Sequence, residues 1–333
     1  MFAAMQHRLA IAWAAALAAC SAPAPPSQQA PRPVTATIPI GAINLMPQVA
    51  HWDSSTRQSS RMDRAVALRK TVLERWIVPY GTFFRIPSDS ALARYVDWLT
   101  PRLPQAERLA DQAERELQAD ARRIAAVFPE LAADKHVAIV GPSLGNTNGT
   151  VRLVDRKPLL IVGVDVQTIL PDSDIYLRAT LEHELVHGAH ATVNPTVYGM
   201  VVAGLQGERV PLYVSLFSEG LATWGSARAD NSLQPAHYYM NANLASVPRA
   251  TCERLAPLLA RDLESTDPTR YADWFFLSGK DANIPRRYAY VLGERVVRQM
   301  ARRYSPAQLL RLDARAILSA TRSALADGRA MCG

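Results

Sequence analysis

The chain has 333 residues, a length that corresponds to one large domain or two small ones. Hydrophobic residues make up 49% and charged residues 20%, which excludes an intrinsically disordered chain and a periodic rod. The net charge of +7 comes mostly from arginines scattered over the predicted helices, so we expect a solvated basic surface and no nucleic-acid partner.

The amino terminus resembles a bacterial lipoprotein signal. Arg8 supplies a positive charge, and Leu9 to Ala19 form an apolar stretch that is too short to span a bilayer of about 30 Å. The stretch ends in Leu17-Ala18-Ala19-Cys20, which is similar to a lipobox. This resemblance implies that Cys20 carries lipid and becomes the first residue of the mature chain.

A tether follows the predicted lipidation site. Residues 1–19 form the signal peptide, and residues 20–39 carry prolines and polar residues but almost no charge. We therefore expect a tether that anchors a domain over 40–333 to a membrane. Ser21 after the cysteine implies an outer-membrane anchor that faces the periplasm. The alternative is a plain signal peptide cleaved near Ala22 or Ala24, with Cys20 lost.

The rest of the chain predicts a small sheet within a mostly helical domain. Short apolar runs, mostly β-branched, predict strands over 136–140, 150–154 and 159–166. A helix capped by Ser173 or Asp174 follows over 175–191. Further helices are predicted over 57–77, 89–99, 104–128, 211–229, 235–245, 249–264, 284–303 and 306–326. This order indicates an α+β fold in which the sheet packs on the 175–191 helix.

That helix carries the motif His183-Glu184-Leu185-Val186-His187. Positions i and i+4 share one helical face, so both imidazoles can bind a single metal ion. Glu184 lies beside this face, where its carboxylate can take a proton from metal-bound water. Leu185 and Val186 are apolar, as expected for a helix buried under the sheet. The alternative is a pair of histidines that are packed or exposed for unrelated reasons.

A catalytic zinc site needs a third protein ligand, and Glu219 is the best candidate. His190 lies a further turn along the helix, too far to complete the site, and is expected to be a supporting or surface residue. Glu219 is flanked by apolar residues, and Gly220 lets another backbone come close. A buried carboxylate without a partner is costly, and zinc is a suitable partner.

The two motifs together resemble the gluzincin-type zinc-dependent proteases, whose signature is H-E-x-x-H followed by E-G-x-A. Here the second part is Glu219-Gly220-Leu221-Ala222, and weaker similarity covers 137–164 and Tyr290-Val291-Leu292-Gly293. The resemblance implies a zincin-like fold, with Zn²⁺ bound by His183, His187 and Glu219. It also implies Glu184 as the general base and hydrolysis of a peptide or protein substrate.

Two parts of the mechanism remain open in the sequence. The resemblance makes Tyr290 the first candidate to stabilise the oxyanion, with Tyr288 and His237 as alternatives. The strand at 159–166 or the one near 150–154 is expected to offer an open edge to an extended peptide. The alternative functions are a catalytically silent envelope binding or assembly module and a lipoprotein with structural zinc. Structural zinc prefers four ligands, commonly cysteines.

The two remaining cysteines are expected to form a disulfide. Cys252 opens a predicted helix and Cys332 is the penultimate residue. The periplasm is oxidising, so these thiols should pair if they lie close enough. Neither has the spacing of a metal ligand. The alternative is a buried Cys252 and a disordered carboxy-terminal tail.

Cys20→Ser should release the protein from the membrane fraction, because the proposed lipid needs the cysteine sulfur. The measurement is membrane fractionation followed by immunodetection, with Ser27→Ala in the tether as the control that stays membrane-bound. Unchanged membrane association of Cys20→Ser would contradict the lipid anchor, and a soluble wild-type protein would favour the plain signal peptide.

Overall fold

A computed structural model of the chain describes residues 38–76, 86–276 and 279–333. The predicted signal peptide, Cys20 and nearly all of the tether lie outside these ranges. Ile38 is an exception, because it is fully buried and its carbonyl oxygen accepts a hydrogen bond of 3.1 Å from the Gln118 amide. The tether was therefore predicted to extend too far, and the folded domain begins before residue 40.

A mixed four-stranded sheet lies inside the domain. The strands follow the spatial order β1-β2-β4-β3, in which β2 pairs in parallel with β1 and β4, and β3 pairs antiparallel with β4. Their bounds are β1 Ile40–Asn44, β2 His136–Gly141, β3 Gly149–Val154 and β4 Lys157–Gly163. Since β2 and β4 have neighbours on both sides, their nearly continuous apolar sequences are those of interior strands.

Three details of the sheet differ from the sequence prediction. The strand β1 was not predicted, because its glycine, alanine and asparagine have low strand propensity. The last predicted strand ends at Gly163, and Val164–Gln167 form a short helix instead. The open edge assigned to 159–166 is wrong, because β4 is paired on both sides, whereas β3 lies at the edge.

Helices make up most of the described residues, so the fold is α+β as predicted. The longer helices are α1 Met46–Thr56, α2 Arg61–Leu68, α3 Asp89–Leu99, α4 Leu103–Val127, α6 Ser173–Val193, α7 Pro195–Leu205, α8 Leu212–Ala229, α11 Arg249–Asp262, α12 Pro268–Phe275, α13 Tyr288–Met300 and α15 Ala314–Ala326. The short ones are α5 Val164–Gln167, α9 Pro235–Tyr238, α10 Ala242–Ala245, α14 Pro306–Leu310 and α16 Gly328–Cys332. Within the described ranges, no helix combines the length and apolar character needed to cross a bilayer.

The helices differ from the prediction mainly at their ends. The single helix expected over 306–326 is two helices, because Asp313 accepts a hydrogen bond from the Ala316 amide and starts α15 afresh. The 235–245 helix is likewise two short turns, α9 and α10. Helix α7 was missed, since Gly199 and Gly204 weaken its pattern although Pro195 is suited to a first helical turn.

Helix α6 occupies the middle of this arrangement. It packs on β3 and β4 on one side and on α4 and α8 on others. Every residue from Ala179 to Ala191 is buried, including Leu185 and Val186 as the sequence predicts. The helix begins at Ser173 after Asp172, whose φ of 50° is left-handed, so neither predicted cap residue is the actual one.

A disulfide ties the end of the chain to α11. Cys252 and Cys332 are bonded with their Cα atoms 5.8 Å apart, which lies within the usual range for such a bridge. The carboxy-terminal residues form α16, and Met331 and Cys332 are buried, so the chain end is ordered by packing as well as by the bridge. The bridge closes a loop of 80 residues that includes α13 and α15.

Cys332→Ser should lower the free energy of unfolding by about 2–5 kcal/mol, because the unfolded chain is no longer cross-linked over a long loop. Urea denaturation measures this, and adding a reductant should destabilise the wild type while leaving Cys332→Ser unchanged. Non-reducing tryptic digestion and mass spectrometry should find a peptide that joins the two cysteines. Free, alkylatable thiols in material from the periplasm would refute the bridge.

Candidate metal centre

The three predicted ligands converge on one point. The Nε2 atoms of His183 and His187 are 3.1 Å apart, and Glu219 Oε2 lies 3.1 Å from the first and 3.6 Å from the second. Helix α6 supplies both histidines from adjacent turns, and α8 supplies the glutamate. Among the described residues, these three form the only cluster of histidine, cysteine or carboxylate side chains able to hold a metal ion.

The spacing of these atoms fits a tetrahedral zinc ion. Ligands at about 2.0–2.1 Å from zinc in a tetrahedron lie about 3.3–3.4 Å from one another. The three observed separations, 3.1, 3.1 and 3.6 Å, lie on either side of that value. The donor set of two imidazoles and one carboxylate is also that of a catalytic zinc site.

Two of the three candidate ligands have the protonation state that a cation needs. Burial alone would raise the pKa of Glu219. The two imidazoles outweigh burial through their charge and their hydrogen bonds, and they hold that pKa well below its usual range. Glu219 is therefore anionic. Burial lowers the pKa of His183, so its ring is neutral and can offer a lone pair. At His187 burial is outweighed by the Glu219 carboxylate, which raises the pKa, so a metal ion would displace a proton there.

The ring of His187 is oriented by its neighbours. Its Nδ1 atom lies 3.3 Å from the Ser218 hydroxyl, which is buried in α8 next to Glu219. The Tyr198 ring from α7 packs 5.6 Å from the His187 ring. Because Nδ1 is engaged by the serine, Nε2 is directed towards His183 and Glu219.

Glu184 is held in a tight space between α6 and the edge strand. A Cβ atom added to Gly149 would lie 2.6 Å from Glu184 Oε1 and 2.7 Å from Thr180 Cγ2, so only glycine fits at this point of β3. Burial raises the pKa of Glu184 to about 8 in the metal-free protein. A nearby cation would favour the ionised carboxylate instead.

Two glycines allow α8 and α13 to cross in backbone contact beside Glu219. A Cβ atom on Gly220 would lie 2.3 Å from the Gly293 carbonyl oxygen, and one on Gly293 would lie 2.6 Å from the Leu216 carbonyl oxygen. The prediction that Gly220 permits a close backbone approach is confirmed. Tyr290 lies one turn before Gly293 on α13, and its ring centre is 6.3 Å from that of His183.

Of the three candidates to stabilise the oxyanion, Tyr290 lies closest to the ligands in the contacts observed. Its half-buried ring is 6.3 Å from the His183 ring, and burial and the charge of Glu219 raise its pKa. Tyr288 is buried, and the charges that act on it are those of Arg295 and Arg254, away from the triad. His237 packs instead on the Tyr176 ring, near the start of α6.

The expectation that His190 is a supporting or surface residue is wrong in its second part. The residue is fully buried, packs 5.6 Å from the Tyr198 ring and 5.8 Å from the Phe217 ring, and is not part of the ligand cluster. Burial lowers its pKa to about 3. It therefore remains neutral and serves as a packing residue behind His187.

Sequence reasoning missed three residues near the triad: Ser218, Tyr198 and Arg152. Arg152 lies on β3, is 8% exposed, and carries a charge that favours the ionised form of Glu184. One signal was available for it, because it is the lone charged residue in an apolar strand. The hydroxyl of Tyr198 donates a 3.4 Å hydrogen bond to the Val151 carbonyl of the same strand, and no local pattern marks it.

Gly220→Ala should lower the free energy of unfolding by about 2–3 kcal/mol, because the added methyl group meets backbone atoms that cannot rotate away. Gly199→Ala is the matched control, since no atom lies within 4 Å of its added Cβ and alanine favours a helix by up to about 1 kcal/mol. Urea denaturation of both variants measures the difference. Equal stability of the two would contradict the backbone crossing.

The chain was also compared with known proteins. Protein-family models, curated proteins and solved structures yield no match.

Proposed function

We propose that this protein is a zinc metallopeptidase of the cell envelope with a zincin-like fold. The observation that carries the proposal is the triangle of Nε2, Nε2 and Oε2 atoms at tetrahedral spacing, with the buried Glu184 carboxylate beside it. The resemblance of the two motifs to gluzincin-type proteases supports the same reading.

His183, His187 and Glu219 would hold the metal, and three protein ligands leave a position for a reacting group. Zinc in such a site acts as a Lewis acid and makes water acidic near neutral pH. Imidazole and carboxylate ligands suit zinc, and no cysteine belongs to the cluster. The set is thus one ligand short of a typical structural zinc site, which favours a catalytic role.

Glu184 is proposed as the general base. It is on the ligand-bearing helix, it is buried, and β3 closes over it at Gly149. In its ionised form it can accept the proton of the attacking water and pass it to the leaving amine. A binding module has no use for a carboxylate confined in this way, so its environment favours an enzyme over a catalytically silent module.

Tyr290 is proposed as the donor to the oxyanion. Its raised pKa keeps the hydroxyl protonated over the physiological range, so it can donate a hydrogen bond. Its ring lies 6.3 Å from the His183 ring. The Tyr198 ring lies closer to a candidate ligand, 5.6 Å from the His187 ring, but its hydroxyl donates to the Val151 carbonyl instead. Such donors typically contribute 10²–10³-fold to the rate, on the order of 3–4 kcal/mol.

The edge strand β3 is proposed to orient the peptide. It pairs only with β4 in the described sheet, and Gly149 places it directly against Glu184. On its unpaired side the Val151 carbonyl accepts a hydrogen bond of 3.4 Å from the Tyr198 hydroxyl, which a bound peptide would replace. An extended peptide can add to such an edge through main-chain hydrogen bonds. This mode fixes the backbone next to the general base and requires no particular side chain, so the substrate is a peptide or an extended protein segment of the envelope.

The purified protein should contain close to one zinc ion per chain and cleave members of a broad peptide library. Glu184→Gln should keep the zinc and lose at least about 10²-fold in activity, because the amide cannot accept the proton. His187→Ala and Glu219→Ala should lose the zinc. Metal analysis and mass spectrometry of the digested library measure both properties.

Glu208→Gln is the control for this experiment, because it changes the same group at an exposed position outside the site. Full zinc occupancy in Glu219→Ala would show that the third ligand is wrong. Zinc binding without cleavage of any peptide by the wild type would overturn the peptidase and favour the binding module.

A further inference from the structure

An arginine stands next to the candidate active site at the start of α13. Arg287 precedes the first residue of that helix with φ 63° and ψ 21°, a left-handed conformation that is uncommon for a residue other than glycine. Its guanidinium carbon lies 4.5 Å from the centre of the Tyr290 ring, which is itself 6.3 Å from the His183 ring. The side chain is half-buried, so a ligand can reach it from solvent.

Other partly buried arginines of this protein have carboxylate partners. Arg270 lies 3.2 Å from Asp281, and Arg178 lies 3.3 Å from Asp230. Over the described ranges, no carboxylate oxygen lies within 4.0 Å of the Arg287 guanidinium nitrogens. The face of Tyr290 holds this guanidinium in place by a cation–π contact but does not neutralise it.

The charges around the site also favour an anionic ligand. The carboxylates of Glu184 and Glu219 offset the charge of one divalent cation. Arg287 adds positive charge close to these groups, since its guanidinium packs on the Tyr290 ring, whose centre lies 6.3 Å from that of the His183 ring. Once metal is bound, the site therefore favours a ligand that brings a negative group of its own.

We propose that the Arg287 guanidinium binds a carboxylate of the peptide substrate, an inference that rests on the proposed peptidase function. Its planar fork of N–H groups matches a carboxylate in a bidentate pair. The backbone of Arg287 is left-handed, a conformation that glycine adopts more readily than arginine. Local strain of this kind is found where a side chain is held for a ligand. The carboxylate is either that of the peptide's carboxyl terminus or that of an acidic side chain.

The test measures peptide binding to the zinc-loaded full chain carrying Glu184→Gln, so that binding is separated from cleavage. Three N-acetylated tetrapeptide libraries are compared by isothermal titration calorimetry: one without Asp or Glu and with a free carboxyl terminus, its amidated counterpart, and an amidated library that contains Asp and Glu. We expect at least tenfold tighter binding of one of the two anionic libraries than of the neutral one. The free-carboxylate library indicates the chain terminus and the acidic amidated library indicates a side chain.

Adding Arg287→Gln should abolish this preference, and Arg287→Lys, which keeps the charge without the fork, should retain part of it. Arg286→Gln is the matched control, because it removes the exposed neighbouring arginine and should leave the preference intact. Thermal unfolding of each variant verifies that it folds. If Arg287→Gln does not fold, Arg287→Lys still tests whether the paired N–H groups of the guanidinium are needed.

Equal binding of neutral and anionic libraries, binding of none of them, or a preference that persists in Arg287→Gln would overturn the proposal. The library digestion by the wild type tests the peptidase separately. A preference that depends on Arg287 in a protein that cleaves no peptide would refute the hydrolysis and leave the carboxylate site in place.

Discussion

The burial of helix α6 is the constraint on which the rest of the structure depends. Its residues from Ala179 to Ala191 are enclosed by the sheet, α4 and α8, and they include His183, Glu184 and His187. Side chains that can carry charge are costly to desolvate unless they have partners of opposite charge. The two imidazoles and Glu219 partly satisfy each other, and a bound cation would complete the arrangement.

The same helix is anchored on a second face by an ionic network. Glu182 lies 2.6 Å from the Arg123 guanidinium of α4, which also pairs with Asp120, while Arg178 pairs with Asp230 at the end of α8. Burial raises the pKa of Asp120 and of Glu182, and the Arg123 guanidinium opposes this shift by favouring the ionised carboxylates. Because breaking a buried pair leaves a charge without compensation, this network fixes the rotation of α6 and thereby the direction of its ligands.

Local patterns predicted the parts of the site that local geometry determines. The i, i+4 spacing of His183 and His187 needs only a helix, and the apolar flanks of Glu219 indicate a buried carboxylate. Local patterns do not reveal contacts between distant segments. The strand β1 pairs with β2, whose residues lie far along the chain, and Tyr198 contacts His187 from a separate helix. Which strand has an open edge depends on the order of all four, so the sequence left two strands possible.

Because of the disulfide between Cys252 and Cys332, the protein is fully stable only in an oxidising environment. The loop that it closes contains α13, and α13 carries Tyr290 and Arg287 to one side of the candidate site. In a reducing cytosol the two thiols stay unpaired, and this side of the site lacks its covalent constraint. Under the proposed export to the envelope, the chain would therefore resist unfolding less before export than after it, which suits passage through a translocation channel.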